Sequence, residues 1–78
     1  MLPHTLEYDI SQAVKNVPKT GYLYSTQYPV QELKRVHDID DETLCKVLKK
    51  MSCQGLLQEF HIRYSKYNPK HIDMYWFR

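Results

Sequence analysis

At Gly55 the hydrophobic period of the chain changes. Before it, apolar residues recur at the spacing of one helical face; after it, they alternate as they do along a half-buried strand. Helices first and strands last, in 78 residues, imply one α+β domain spanning residues 1–78. That length lies near the lower limit at which a single core folds unaided. The 42% hydrophobic and 13% aromatic content is enough to build such a core, which argues against disorder.

The segment DIDDETLCKVLKKMSCQGLL, residues 38–57, is the best-specified helix. Asp40 stands at the N-cap, and Asp41 and Glu42 follow in the first turn, where the helix dipole favours acids. Ile39 and Leu44 have the spacing of a hydrophobic staple. Leu44, Val47, Leu48 and Met51 form the apolar stripe, and Gly55 supplies the left-handed exit with Lys49 and Lys50 near the negative end. An earlier helix is expected from Leu6 to Val17, carried by Leu6, Ile10, Ala13, Val14 and Val17, capped by Thr5 and stopped by Pro18. A turn at Gly21 and a β-prone stretch, residues 22–24, follow. A short helix then starts near Pro29 and ends around His37, with Val30, Leu33 and Val36 turned inward.

Beyond Gly55, Phe60, Ile62 and Tyr64 share one face of a strand, and Ile72, Met74 and Trp76 one face of another. Both sets are expected to face inward. The outer face of the hairpin would then carry His61, Arg63, His71, Asp73, Tyr75 and Phe77. Asn68-Pro69 marks the turn, with Lys66, Tyr67 and Lys70 at the tip. Tyr75 and Phe77, as outer aromatics, suggest burial against another chain, a second copy or a different protein. The alternative is that the first helix or the first strand covers them.

Charge is divided along the chain. Residues 1–44 hold four bases and seven acids, net −3, whereas residues 45–78 hold seven bases and two acids, net +5. Such a split suggests that one end of the fold meets a polyanion; chance clustering is the alternative. Cys45 and Cys53 fall on one helix about 12 Å apart, too far for a disulfide. The four His show no ligand spacing with these cysteines, so no metal is expected. No apolar run approaches the roughly 18 residues of a membrane span, and MLPHTLEYDI lacks the pattern of a signal peptide. An intracellular domain is expected, in the cytoplasm with the nucleoid or in a nucleus. Met1 stands only a few residues ahead of the first helix, as in a complete small protein.

The order helix, short strand, helix, tight connection, helix, hairpin, with PVQELKRVHDIDDETLCKVLKKMSCQGLLQEF at its centre, resembles the winged helix-turn-helix family over essentially the whole chain. The terminal MYWFR resembles the returning strand of small regulators of bacterial fimbrial operons. The resemblance implies three helices, a short first strand and a C-terminal β-hairpin wing. It also implies a third helix in the major groove of double-stranded DNA, with the wing on the flanking backbone. On that basis Thr43 and Lys46 would meet bases. Lys49, Lys50, Arg63, Lys66 and Lys70 would meet phosphates, with hydrogen bonds from Tyr64 and Tyr67. The bland alternative for the helix lysines is a solvated face. Asp41 and Glu42 depart from the simplest reader, because carboxylates repel phosphate, although an acid can accept from a cytosine amino group.

The expected function is that of a small transcriptional regulator with no cofactor and no small-molecule substrate. The alternative is a winged-helix protein-interaction module, favoured by the acidic first half. A phosphate loop, a nucleophile motif and a pocket of paired carboxylates are all missing from the sequence, so no enzyme is expected.

Overall fold

The computed structural model describes residues 5–78; residues 1–4, with Met1 and His4, lie outside the described residues. Three helices, α1 (Leu6–Lys15), α2 (Tyr28–His37) and α3 (Asp41–Cys53), pack on an antiparallel sheet of β1 (Leu23–Tyr24), β2 (Phe60–Tyr64) and β3 (Ile72–Phe77). The sheet order is β1-β3-β2, so β3 is central. Among the described residues no helix is long and apolar enough to cross a membrane.

Local chemistry sets the helix ends. The Thr5 hydroxyl accepts the Tyr8 N–H at 3.1 Å, and the Asp40 carboxylate accepts the Thr43 N–H at 2.9 Å. α1 ends at Lys15 rather than Val17, with Asn16 as its cap, and Val17 packs on the core from outside the helix. α3 exits through Gly55 at φ 77°, where the Leu56 N–H returns to the Met51 carbonyl and the Gly55 N–H to that of Ser52. This is the Schellman pattern. α2 ends the same way without glycine. Asp38 sits at φ 51°, Ile39 N–H bonds the Lys34 carbonyl, and Asp38 N–H bonds that of Arg35. Two left-handed residues therefore fix the connection into α3 and the exit from it.

The core contains Ile10, Leu23, Val30, Leu33, Leu44, Cys45, Leu48, Met51, Leu57, Tyr75 and Phe77, with Val47, Phe60, Ile62 and Ile72 packed against it. On α2 the inward stripe differs from the expected one. Val30 and Leu33 are buried, but Val36 is exposed. Residues 30, 33, 34 and 37 share a helical face, so the stripe continues through Lys34 and His37. Both make polar links to neighbouring helices: Lys34 Nζ to Asp41 at 2.9 Å, and His37 Nε2 to Asp9 at 2.7 Å.

The largest correction concerns β3. Tyr75 and Phe77 are fully buried, which overturns their expected place on an outer face open to another chain. They stand opposite Ile62 and Phe60 on the inner face, while Trp76 and Met74 stand opposite His61 and Arg63 on the outer one. The cause is a bulge. Arg63 pairs with Met74 but Tyr64 pairs with Ile72, so Asp73 is an extra residue in β3. Ile72 lies on the inner side as expected, and the extra residue reverses the phase of everything after it. Ser25 secures the buried edge: its N–H donates to the Tyr75 carbonyl at 2.9 Å, and its hydroxyl accepts the Tyr75 N–H at 3.4 Å.

Candidate functional site

A groove of about 490 Å³ opens between the first half of α3 and the inner face of the hairpin. Three acids, Asp40, Asp41 and Glu42, line it at the start of α3, with Lys46 and Lys49 beyond them; Tyr64, Lys70 and His71 line it from the hairpin, and Ile62, Ile72 and Cys45 form apolar parts of its wall. The helix face expected to be solvent-exposed is so: Thr43, Lys46, Lys49, Lys50 and Cys53 all lie outside the core. Lys66 and Tyr67 stand on the loop beyond the groove, where Tyr67 is 96% exposed. That loop is held by a turn in which the His71 N–H donates to the Asn68 carbonyl at 2.9 Å. Pro69 stands at the turn's second position, which its fixed φ favours.

Of the nine residues singled out from the sequence for contact with nucleic acid, four (Lys46, Lys49, Tyr64 and Lys70) line this groove together. Thr43 and Lys50 share the exposed surface of α3, and Lys66 and Tyr67 share the loop. Arg63 does not join them. It projects from the opposite sheet face, where its guanidinium binds Asp73 through Nε at 3.0 Å and Nη2 at 2.9 Å. His71, expected on the outer face, instead lines the groove; it stands ahead of β3, in the turn, where strand alternation does not apply.

The three acids at the start of α3 have separate tasks. Asp40 is the cap, and its bonds to Thr43 hold its carboxyl below the usual range. Asp41 accepts the Tyr75 hydroxyl at 2.7 Å and faces Lys34 Nζ at 2.9 Å. This ties α3 to both β3 and α2 and offsets the Asp41 charge. Burial, and then the bond to Asp41, push the Tyr75 phenol above its ordinary value. Glu42 pairs with Lys46, at 3.8 Å. Cys45 is buried beside Asp41, and desolvation pushes its thiol up to about 12, so it remains protonated and unreactive. Sequence patterning missed Lys34, Cys45 and Tyr75 as supports of this surface. The spacing of 30, 33, 34 and 37 on α2 was the one available signal.

None of Lys49, Lys50, Lys66 and Lys70 has an ion-pair partner among the described residues. The outer sheet face is different. Tyr24, Trp76 and His61 form a row across the three strands, stacked at 6.4 and 5.4 Å. Beside it, Arg78 lies 4.8 Å over the Tyr22 ring and pairs with Glu59 at 2.6 Å. Glu59 also accepts the Tyr22 hydroxyl at 2.8 Å and lies 3.3 Å from His61, and these bonds hold its carboxyl below the ordinary range. Among the described residues no group of three or more His, Cys, Asp or Glu could hold a metal ion.

No protein-family model, curated protein or solved structure significantly matches this chain.

Proposed function

We propose that this α+β fold is a winged helix that binds double-stranded DNA, α3 entering the major groove and the β2–β3 hairpin serving as a wing along the backbone. The observation that carries this reading is the convergence of partnerless lysines on one surface. Lys49 on α3 and Lys70 on the hairpin line the groove, Lys50 and Lys66 are exposed on the same two elements, and Lys46 is held at 3.8 Å from Glu42. Lysines on both walls of such a groove suit the phosphate rows that flank a helix in the major groove. The ion pair of Asp41 with Lys34 supports the reading, because it offsets the charge of one of the three acids that line the groove. Such a protein works as a small transcriptional regulator inside the cell, without a cofactor.

The test is an anisotropy titration of the chain against a labelled random duplex at about 50 and 200 mM salt. Neutralising several phosphates releases counterions, so affinity falls at least roughly tenfold between the two conditions. Absence of binding at the lower salt overturns the proposal. One observation favours a second reading, a protein-interaction module: the outer sheet face is aromatic and its arginines are already paired. Under that reading, replacing Trp76 weakens partner capture and reversing Lys66 and Lys70 leaves it intact.

A further inference from the structure

We propose that the open edge of β2 pairs with the β2 edge of a second copy of this chain, antiparallel and in register about Ile62, joining two sheets into one across a symmetric dimer. Such pairing is independent of any nucleic acid. In the order β1-β3-β2 the two outer strands are unlike. β1 has two residues, whereas β2 offers five, Phe60–Tyr64, along an edge with no neighbouring strand among the described residues.

The ladder decides which backbone groups reach that edge. Glu59 and Arg78 exchange both of their N–H to carbonyl bonds, at 3.1 and 3.0 Å. Antiparallel strands alternate such pairs with pairs that exchange none, so His61 and Arg63 also turn their backbone groups to β3. Phe60, Ile62 and Tyr64 turn theirs to the open edge. Natural edges are blunted by proline, charge, a bulge or extreme shortness. FHIRY has no proline or lysine, its arginine is held by Asp73, and the extra residue at Asp73 belongs to β3. Its inner-face residues are all apolar or aromatic, and Tyr64 there is 52% exposed.

The edge selects its own occupant, because FHIRY reads alike in both directions about Ile62: aromatic, basic, aliphatic, basic, aromatic. A twofold axis through Ile62, normal to the sheet, sets Ile62 against its copy and Phe60 against Tyr64. These edge-facing residues then exchange both bonds at every pair, and their side chains share the inner face. On the outer face His61 meets Arg63 of the second copy, each beside its own acid, Glu59 at 3.3 Å and Asp73 at 2.9 Å. A slip of one residue opposes edge-facing groups to groups already bonded to β3. A slip of two sets Arg63 or His61 against itself and leaves one aromatic of each strand unpaired. Only one register uses the whole strand.

The experiment uses the full chain. Sedimentation equilibrium is run from about 10 µM to 1 mM, where small interfaces become populated, and amide exchange is read residue by residue at both limits. The mass is expected to approach twice that of the chain at the upper limit. The Phe60, Ile62 and Tyr64 amides are expected to exchange more slowly there, while those of His61 and Arg63, already bonded to β3, change little. Tyr64→Pro removes one edge donor per copy and none from the ladder to β3, so it should weaken association at least roughly tenfold. Circular dichroism checks that this variant folds; if it does not, the exchange pattern of the wild type decides alone. A chain that stays monomeric to about 1 mM overturns the proposal. So does a dimer whose newly protected amides lie elsewhere, or one that folded Tyr64→Pro leaves intact.

Discussion

On the helix side of the sheet, the Tyr75 hydroxyl is directed to Asp41, and the groove beyond it is lined by the acids at the start of α3 together with Lys49 and Lys70, which have no ion-pair partner among the described residues. On the other side Arg63 is held by Asp73 and Arg78 by Glu59, around a row of stacked rings. One face keeps lysines without ion-pair partners; the other settles its charge internally. The two faces are separated by single residues of β3, since Tyr75 and Phe77 point one way and Met74 and Trp76 the other. Neighbours in sequence therefore serve unlike ends, and substitution can separate them.

The largest contrast should be Phe77→Ala against Trp76→Ala. Phe77 is fully buried, so its truncation should cost about 3–5 kcal/mol in urea unfolding. Trp76 keeps one side toward solvent and should cost about half as much. Equal losses would mean that the outer face is packed as tightly as the core.

Next in size is the binding contrast. Reversing Lys66 and Lys70 to Glu should weaken duplex binding roughly tenfold to a hundredfold, whereas Arg63→Ala should change it by less than about twofold. Comparable losses would show that nucleic acid wraps onto the outer face.

Tyr75→Phe tests the link from the inner face to α3. It removes the hydroxyl bond to Asp41 but keeps the ring, for a loss of about 1 kcal/mol near neutral pH. The Tyr75 phenol is raised above 10.0, so its contribution is complete below that pH and is lost as pH rises above it. Urea midpoints measured from pH 8 to 11 should therefore fall at the alkaline end in wild type, and less in Tyr75→Phe.

The smallest effect belongs to Glu59 on the outer face. Its carboxyl is lowered from 4.5, chiefly by the Tyr22 hydroxyl and His61, so its contribution is present above that value and lost as pH falls through the folded-state value. Glu59→Gln should flatten the acid limb of the stability curve, read by thermal melts from pH 6 to 3. An unchanged limb would show that the Glu59 contacts do not persist in solution.

Much of α3 is legible in the sequence, because its signals are local: Asp40 and Gly55 act within one turn of where they stand. Lys46 and Lys49, with Tyr64 and Lys70, also end in one groove as their pattern suggests. What could not be read depends on contacts between elements. Val36 is apolar yet exposed, because a two-to-three-turn helix had to direct Lys34 and His37 at partners on α3 and α1. Alternation identified the strand at residues 72–77 but not its phase. One unpaired residue, Asp73, exchanges the faces, and only pairing with β2 shows where it lies. Arg63 lies on the outer face as alternation along β2 predicts, but its bond to Asp73 could not be read, because it forms only once the hairpin closes.

The bulge at Asp73 also makes the hairpin modular. Residues on the core side of it are bound to a register that Tyr75 and Phe77 enforce by burial. Residues beyond it, from Tyr64 through the turn to Ile72, answer to a separate register that meets the core only at Ile72. The tip can therefore be lengthened, shortened or exchanged for another loop without shifting the strand that the core holds. A chain built this way could acquire a new target by grafting between Tyr64 and Ile72, and a library confined to that interval would leave the rest of the domain unaltered.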